Sequence, residues 1–132
     1  MKKILFVCVH NAGRSQMAEA FFNQISKGKA KGLSAGTQPA DKVNPMVVEA
    51  MREVGIDIRR RKPKMLTLEM MGDVDRVITM GCSVEGVCPA SFVPTEDWQL
   101  DDPEGKPIEK VSQIRDEVKA RVEGLVKELG IG

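Results

Sequence analysis

Cys8 and Arg14 are separated by Val9-His10-Asn11-Ala12-Gly13, and Ser15 follows at once. A thiol and a guanidinium in one short loop put a nucleophile beside a cradle for negative oxygen. Arg14 offers two parallel donors to a tetrahedral oxyanion, a fit that Lys cannot reproduce. The loop from Val9 and His10 through Asn11, Ala12 and Gly13 to Arg14 and Ser15 supplies backbone N–H groups to the same anion, and Gly13 is expected to take the unusual backbone angles of such a nest. Positive partial charge at this spot favours the Cys8 thiolate, and the Ser15 hydroxyl is placed to donate to its sulfur.

Two elements must hold that loop. Ile4-Leu5-Phe6-Val7 is a short apolar run of the kind found in strands buried on both faces. After the loop, Met17, Ala18, Phe21, Phe22 and Ile25 recur on one face of a helix. A strand that turns directly into a helix aims unpaired amides and the positive end of the helix dipole at one point, which is an anion site.

The remaining chain continues the alternation. Leu33-Ser34-Ala35-Gly36 reads as a second strand. Asn44-Pro45 reads as a helix start, with Val47, Val48, Met51 and Val54 as the apolar face and Gly55 as the stop. Residues 59–64 hold five basic side chains in six positions, which in a nearly neutral chain reads as a solvated loop rather than a nucleic-acid patch. A short helix is expected over 67–71. Asp75-Arg76-Val77-Ile78-Thr79-Met80 reads as a third strand that delivers Gly81-Cys82 at its C-terminal end. Phe92-Val93, with Asp97-Trp98, supplies a fourth, and a long amphipathic helix runs from Pro107 until Gly130 stops it. Strands alternating with helices predict an α/β fold with a parallel sheet covered on both sides, and residues 1–132 are expected to form one domain.

Composition narrows the function. The chain has 132 residues, 42% apolar and 30% charged, with a net charge of +1, so no general attraction to nucleic acid or to a membrane surface is expected. No apolar run is long enough for a membrane span or a signal peptide, which predicts a cytoplasmic protein. Three cysteines, an odd number in a reducing compartment, do not make a structural disulfide framework.

The Cys8 to Arg14-Ser15 spacing immediately after the first strand resembles that of the low-molecular-weight protein tyrosine phosphatases and of the arsenate reductases that share their fold. Asn11, Arg14-Ser15-Gln16-Met17-Ala18-Glu19 and Ser34-Ala35-Gly36 resemble the reductase branch. The resemblance implies a three-layer sandwich with a four-stranded parallel sheet in a flavodoxin-like arrangement. It also implies that Asp102, directly before Pro103, is the general acid, in preference to Asp101. Asn11, Glu19 and Ser34 match positions that hold the loop and, in some relatives, bind potassium. The sequence does not locate the remaining acidic ligand of such a set, and no metal or other cofactor is assigned.

Cys82 and Cys88 separate the branches. A phosphatase clears its phosphoenzyme with water, whereas an arsenate reductase must supply two electrons from thiols. The reductase reading gives a Cys8/Cys82/Cys88 disulfide relay recharged by thioredoxin or by glutaredoxin and glutathione. Cys82 is shifted by one position from the pattern of the thioredoxin-coupled enzymes, which leaves the donor open. The chain has no Tyr, and Glu104-Gly105-Lys106 follows Asp102-Pro103 where phosphatases of this fold carry aromatic residues for a phenol ring. A phosphatase acting through a Cys8 phosphoenzyme remains the alternative. A Cys3His zinc site from Cys8, His10, Cys82 and Cys88 would quench the nucleophile and give Arg14 no role. A phosphate-sensing module would not need an acid.

Overall fold

Strand β1 (Lys2–Cys8) occupies the interior of the sheet because its residues are apolar on both faces. The computed structural model describes residues 2–80 and 95–131. Within them, β1, β2 (Ala30–Gly36), β3 (Arg76–Thr79) and β4 (Thr95–Asp97) form a parallel sheet in the order β2-β1-β3-β4. Strand order reverses at β1, so its C-terminal end opens into the crevice where sheets of this topology bind ligands. Cys8 is the last residue of that strand.

Alternation along β1 divides the core. Ile4, Phe6 and Cys8 join an apolar cluster with Phe21 and Phe22 of α1 (Arg14–Ser26), Met51 of α2 (Pro45–Arg52) and Ile114 of α4 (Ile108–Leu129). Leu5, Val7 and Val9 point the other way and meet Ala35, Val77 and Met71, the last from α3 (Leu68–Gly72). Helices therefore cover both faces, giving the three layers expected. The Phe6 ring lies 5.7 Å from Phe22 and 5.9 Å from Trp98. Trp98 is thus a core residue, and a buried side chain of this kind contributes roughly 2–3 kcal/mol.

Element ends follow local chemistry. The Asn44 side chain accepts from Met46 N at 2.9 Å and Pro45 takes the first helical position, as the Asn-Pro pair predicts. Gly130, at φ 70°, ends α4. Two boundaries differ from expectation by two residues or more. β2 starts at Ala30 rather than Leu33, because the Asn23 side chain donates to Gly32 O at 3.2 Å and accepts from Gly32 N at 2.7 Å, holding an apparent breaker inside the strand. α2 stops at Arg52, where the amides of Val54, Gly55 and Ile56 close the last carbonyls, so Val54 lies in an exposed turn rather than on the apolar face. Phe92 and Val93, expected in the fourth strand, lie outside the described residues. Among the described residues no helix is long and apolar enough to cross a membrane.

Candidate active site

The loop after β1 is shaped by what its carbonyls bind. Val9 O accepts from Gln38 N at 2.8 Å, His10 O from Ala40 N at 3.0 Å, and Ala12 O from Asn44 N at 2.9 Å. A trans peptide directs the next N–H to the opposite side of its plane, so outward carbonyls turn the following amides inward. Asn11 N accordingly donates to Cys8 Sγ at 3.2 Å. At the far end, the N-cap Gly13 provides no side-chain acceptor, which leaves the first amides of α1 open toward the loop.

The strained angle falls at Asn11, with φ 50°, and not at Gly13, with φ −145°. Asn tolerates the left-handed region because its side chain bonds locally. Gly13 is required for space instead: a Cβ there would come within 2.7 Å of Pro103 Cγ, so its absence lets the Asp102-Pro103 turn close over the loop. Gly36 serves the opposite side, where a Cβ would meet Val9 O at 2.6 Å and Asn11 N at 3.0 Å.

Cys8 is 2% exposed, and its Sγ lies 2.8 Å from Ser15 Oγ. Asn11 Nδ2 donates to the same Ser15 oxygen at 2.7 Å, while Asn11 Oδ1 accepts from Gln16 Nε2 at 3.0 Å and from Lys64 N at 2.9 Å. Arg14 is buried, and its Nη1 donates to Leu100 O at 2.9 Å, which fixes the plane of the guanidinium. Arg14 Nη2 stands 3.9 Å from Asp102 Oδ2. A cavity of about 480 Å³ opens above these groups, lined by Cys8, His10, Arg14, Lys42, Asp102 and Glu104 among others. His10 points its Nδ1 at Gln38 O, 3.0 Å away.

Cys8, Arg14, Ser15 and Asp102 are thus brought together, whereas Cys82 and Cys88 lie outside the described residues. Asp102 makes a long, partly exposed contact with Arg14. The solvated loop expected over residues 59–64 is found at Arg59, Arg60, Lys62 and Lys64, which are exposed, but Arg61 turns inward. Arg61 and Lys64 both pair with Glu19 Oε atoms, and Glu19, which is 6% exposed, also accepts from Ser34 Oγ at 3.0 Å. Sequence reasoning also missed Gln16, the amides of Gln38 and Ala40, and the Leu100 carbonyl. These act through backbone groups or contacts distant in sequence, for which composition and periodicity carry no signal. Among the described residues no group of three His, Cys, Asp or Glu side chains could hold a metal ion.

The chain has relatives along nearly its whole length. The chain is 39% identical over 133 residues to the glutaredoxin arsenate reductase of Synechocystis sp., covering 98% of this chain and 99% of that protein. It superposes on a thioredoxin-dependent arsenate reductase of Corynebacterium glutamicum with a TM-score of 0.84 at 37% identity, over 98% of this chain and 62% of that one. A low molecular weight protein tyrosine phosphatase from T. tengcongensis matches with a TM-score of 0.85 at 27% identity, over 97% of this chain and 99% of that one. Residues 3–131 fit the description of a Low molecular weight phosphotyrosine protein phosphatase. With the match spanning both the β1 loop and the Asp102 turn, the chain belongs to the low molecular weight phosphotyrosine protein phosphatase family.

Proposed function

We propose that this protein is an arsenate reductase that converts arsenate to arsenite through Cys8. The observation that carries the reading is the Cys8 sulfur held by Ser15 Oγ and Asn11 N beneath a cavity whose lining, among the described residues, contains Arg14 and Asp102 but no phenyl, phenol or indole ring. An oxyanion finds donors there, and among the described residues an aryl group finds no phenyl, phenol or indole ring to stack on. The arsenate reductases among its relatives, one named for glutaredoxin and one for thioredoxin, support the same choice.

In the first step the Cys8 thiolate attacks As(V) and an S–As bond forms as an As–OH bond breaks, the hydroxyl leaving as water after accepting a proton from Asp102. The Cys82 thiolate then attacks Cys8 Sγ. The S–S bond forms as the S–As bond breaks, and its electron pair stays on arsenic, which leaves as arsenite, As(III). Cys88 attacks Cys82 next, freeing Cys8 and carrying the oxidation outward as a Cys82–Cys88 disulfide. Thioredoxin, or glutaredoxin with glutathione, returns the two electrons. Such a relay works in a reducing compartment, and we assign the protein to the cytoplasm.

Arsenite production measured with thioredoxin, with glutaredoxin plus glutathione, and without reductant tests the reading. Catalytic arsenite with one donor is expected. Hydrolysis of an aryl phosphate with no arsenite from any donor would replace it with a phosphatase acting through a Cys8 phosphoenzyme, the reading favoured by the phosphatase match.

A further inference from the structure

Among the three consecutive arginines, Arg61 is the one that turns inward. Its side chain is 34% exposed, against 66% for Arg59, which pairs with its neighbour Asp57. Arg61 reaches Glu19, a buried carboxylate on α1 that Ser34 on β2 also holds, and Lys64 Nζ approaches the same carboxylate at 3.7 Å. Burial pushes the Arg61 guanidinium below its ordinary value. It does the same to the Lys64 ammonium, with the Arg61 charge adding to the effect. Two like charges held together in a partly buried place require an anion between them, and Glu19 supplies it.

The backbone of the same segment touches the anion loop. Lys64 N donates to Asn11 Oδ1 at 2.9 Å, Lys62 O accepts from Gln16 Nε2 at 3.4 Å, and Lys64 O accepts from Gly36 N at 2.8 Å. The first of these bonds has a directional consequence. A backbone N–H can only donate, so it fixes which end of the Asn11 amide is the oxygen. The other end, Nδ2, must then donate to Ser15 Oγ, 2.7 Å away. Ser15 Oγ accepts that bond, and its own hydrogen is left for Cys8 Sγ, 2.8 Å away. A hydrogen bond donated to sulfur stabilises the thiolate over the thiol.

We propose that Arg61 is a positioning residue for Cys8: its ion pair with Glu19 seats residues 61–64 against the loop, so that Lys64 N orients Asn11 and, through Ser15, aims a hydrogen bond at the nucleophile. The inference rests on Cys8 being the nucleophile and not on which oxyanion it attacks.

Alkylation of Cys8 by iodoacetamide, followed at the Cys8 peptide by mass spectrometry across a pH series, reads the nucleophile without any oxyanion chemistry. Protection by inorganic phosphate reads the loop, and thermal unfolding reports folding. Arg61→Gln is expected to slow alkylation at neutral pH by roughly 10-fold, the scale for a charged group losing a hydrogen bond. Its rate profile should move to higher pH, and phosphate protection should weaken. Arg61→Lys should restore most of the rate, whereas Arg59→Gln should match the wild type. Glu19→Gln, which keeps the shape and the Ser34 contact, should reproduce Arg61→Gln if that variant folds poorly. A wild-type profile and wild-type protection in both folded variants would overturn the proposal, as would equal slowing by Arg59→Gln. Unreactive Cys8 in the unmodified protein would remove the nucleophile itself, and is recognised before any variant is compared.

Discussion

Asp102 presents one carboxylate oxygen to Arg14 and the other to its own turn: Oδ2 lies 3.9 Å from Arg14 Nη2, and Oδ1 accepts from Glu104 N at 2.9 Å. With 44% of its side chain exposed, the pairing with Arg14 is a weak restraint. The Arg14 bond to Leu100 O, two positions earlier in the chain, holds the whole turn at the cavity mouth. Asp101 turns away and pairs with Lys110 Nζ at 3.2 Å.

That difference separates the two aspartates by experiment. Asp102→Asn should slow formation of the Cys8 adduct by roughly 100-fold, the usual scale for a lost general acid, while leaving phosphate binding largely intact. Asp101→Asn should stay near the wild-type rate. Pre-steady-state adduct formation with arsenate measures both, and a larger effect at Asp101 would reassign the acid.

Cys8→Ser should abolish arsenate reduction and any aryl phosphatase activity, because the hydroxyl stays protonated and no base lies among its hydrogen-bond partners Ser15 and Asn11. Arg14→Lys should be nearly as damaging. An ammonium cannot hold Leu100 O and still offer a planar pair of donors to the anion. Steady-state turnover on both substrates checks the pair, and wild-type turnover in the Lys variant would show that backbone amides suffice.

The relay is separated from simple phosphatase chemistry by its trapped species. After one addition of arsenate without reductant, Cys88→Ser should accumulate a Cys8–Cys82 disulfide and release one arsenite per enzyme. Cys82→Ser should stall before any disulfide forms. Peptide mapping of disulfides reads both, and repeated turnover of Cys88→Ser with glutaredoxin and glutathione would make Cys88 dispensable.

Gly36→Ala should damage the site more than the fold. The added methyl group would press on Val9 O and Asn11 N, both backbone atoms of the anion loop, so the loop must move. Phosphate affinity should fall by about 10-fold or more, since displacement of the inward amides removes donors from the anion. Isothermal titration with phosphate, alongside thermal unfolding, distinguishes a displaced loop from an unfolded protein.

Glu53 links α2 to α4 and gives a pH-dependent contribution. Hydrogen bonds from Ser112 and then Arg115 hold its carboxyl below the ordinary carboxylate range. A lowered native value means the folded state binds the proton less readily than the unfolded chain. The stabilisation is therefore present above the ordinary value and disappears as pH falls through the lowered one. Glu53→Gln should lower the melting temperature at neutral pH, and the difference from wild type should shrink in acid.

Local signals in the chain determined much of this protein. The apolar run of β1, the helical spacing of α4, the Asn44-Pro45 start of α2 and the Cys8 to Ser15 loop each depend on residues adjacent in sequence or one turn apart, so their physics is written in order. Asp102 was singled out only by the family resemblance, because an Asp-Pro pair by itself is a common turn. Gly32 and Val54 misled because Asn23 stabilises a glycine within a strand and because three amides closed α2 early.

Tertiary structure decided what holds the loop in its working shape. Glu19 and Arg61, Asn11 and Lys64, and Arg14 and Leu100 are far apart in the chain, and each pair meets only when β1, β2 and the following segments are stacked. Five basic residues among six look the same from sequence whether all face water or one reaches inward. Only the buried carboxylate, brought there by α1, makes Arg61 different from Arg59, because a charge removed from water must find its partner in the fold.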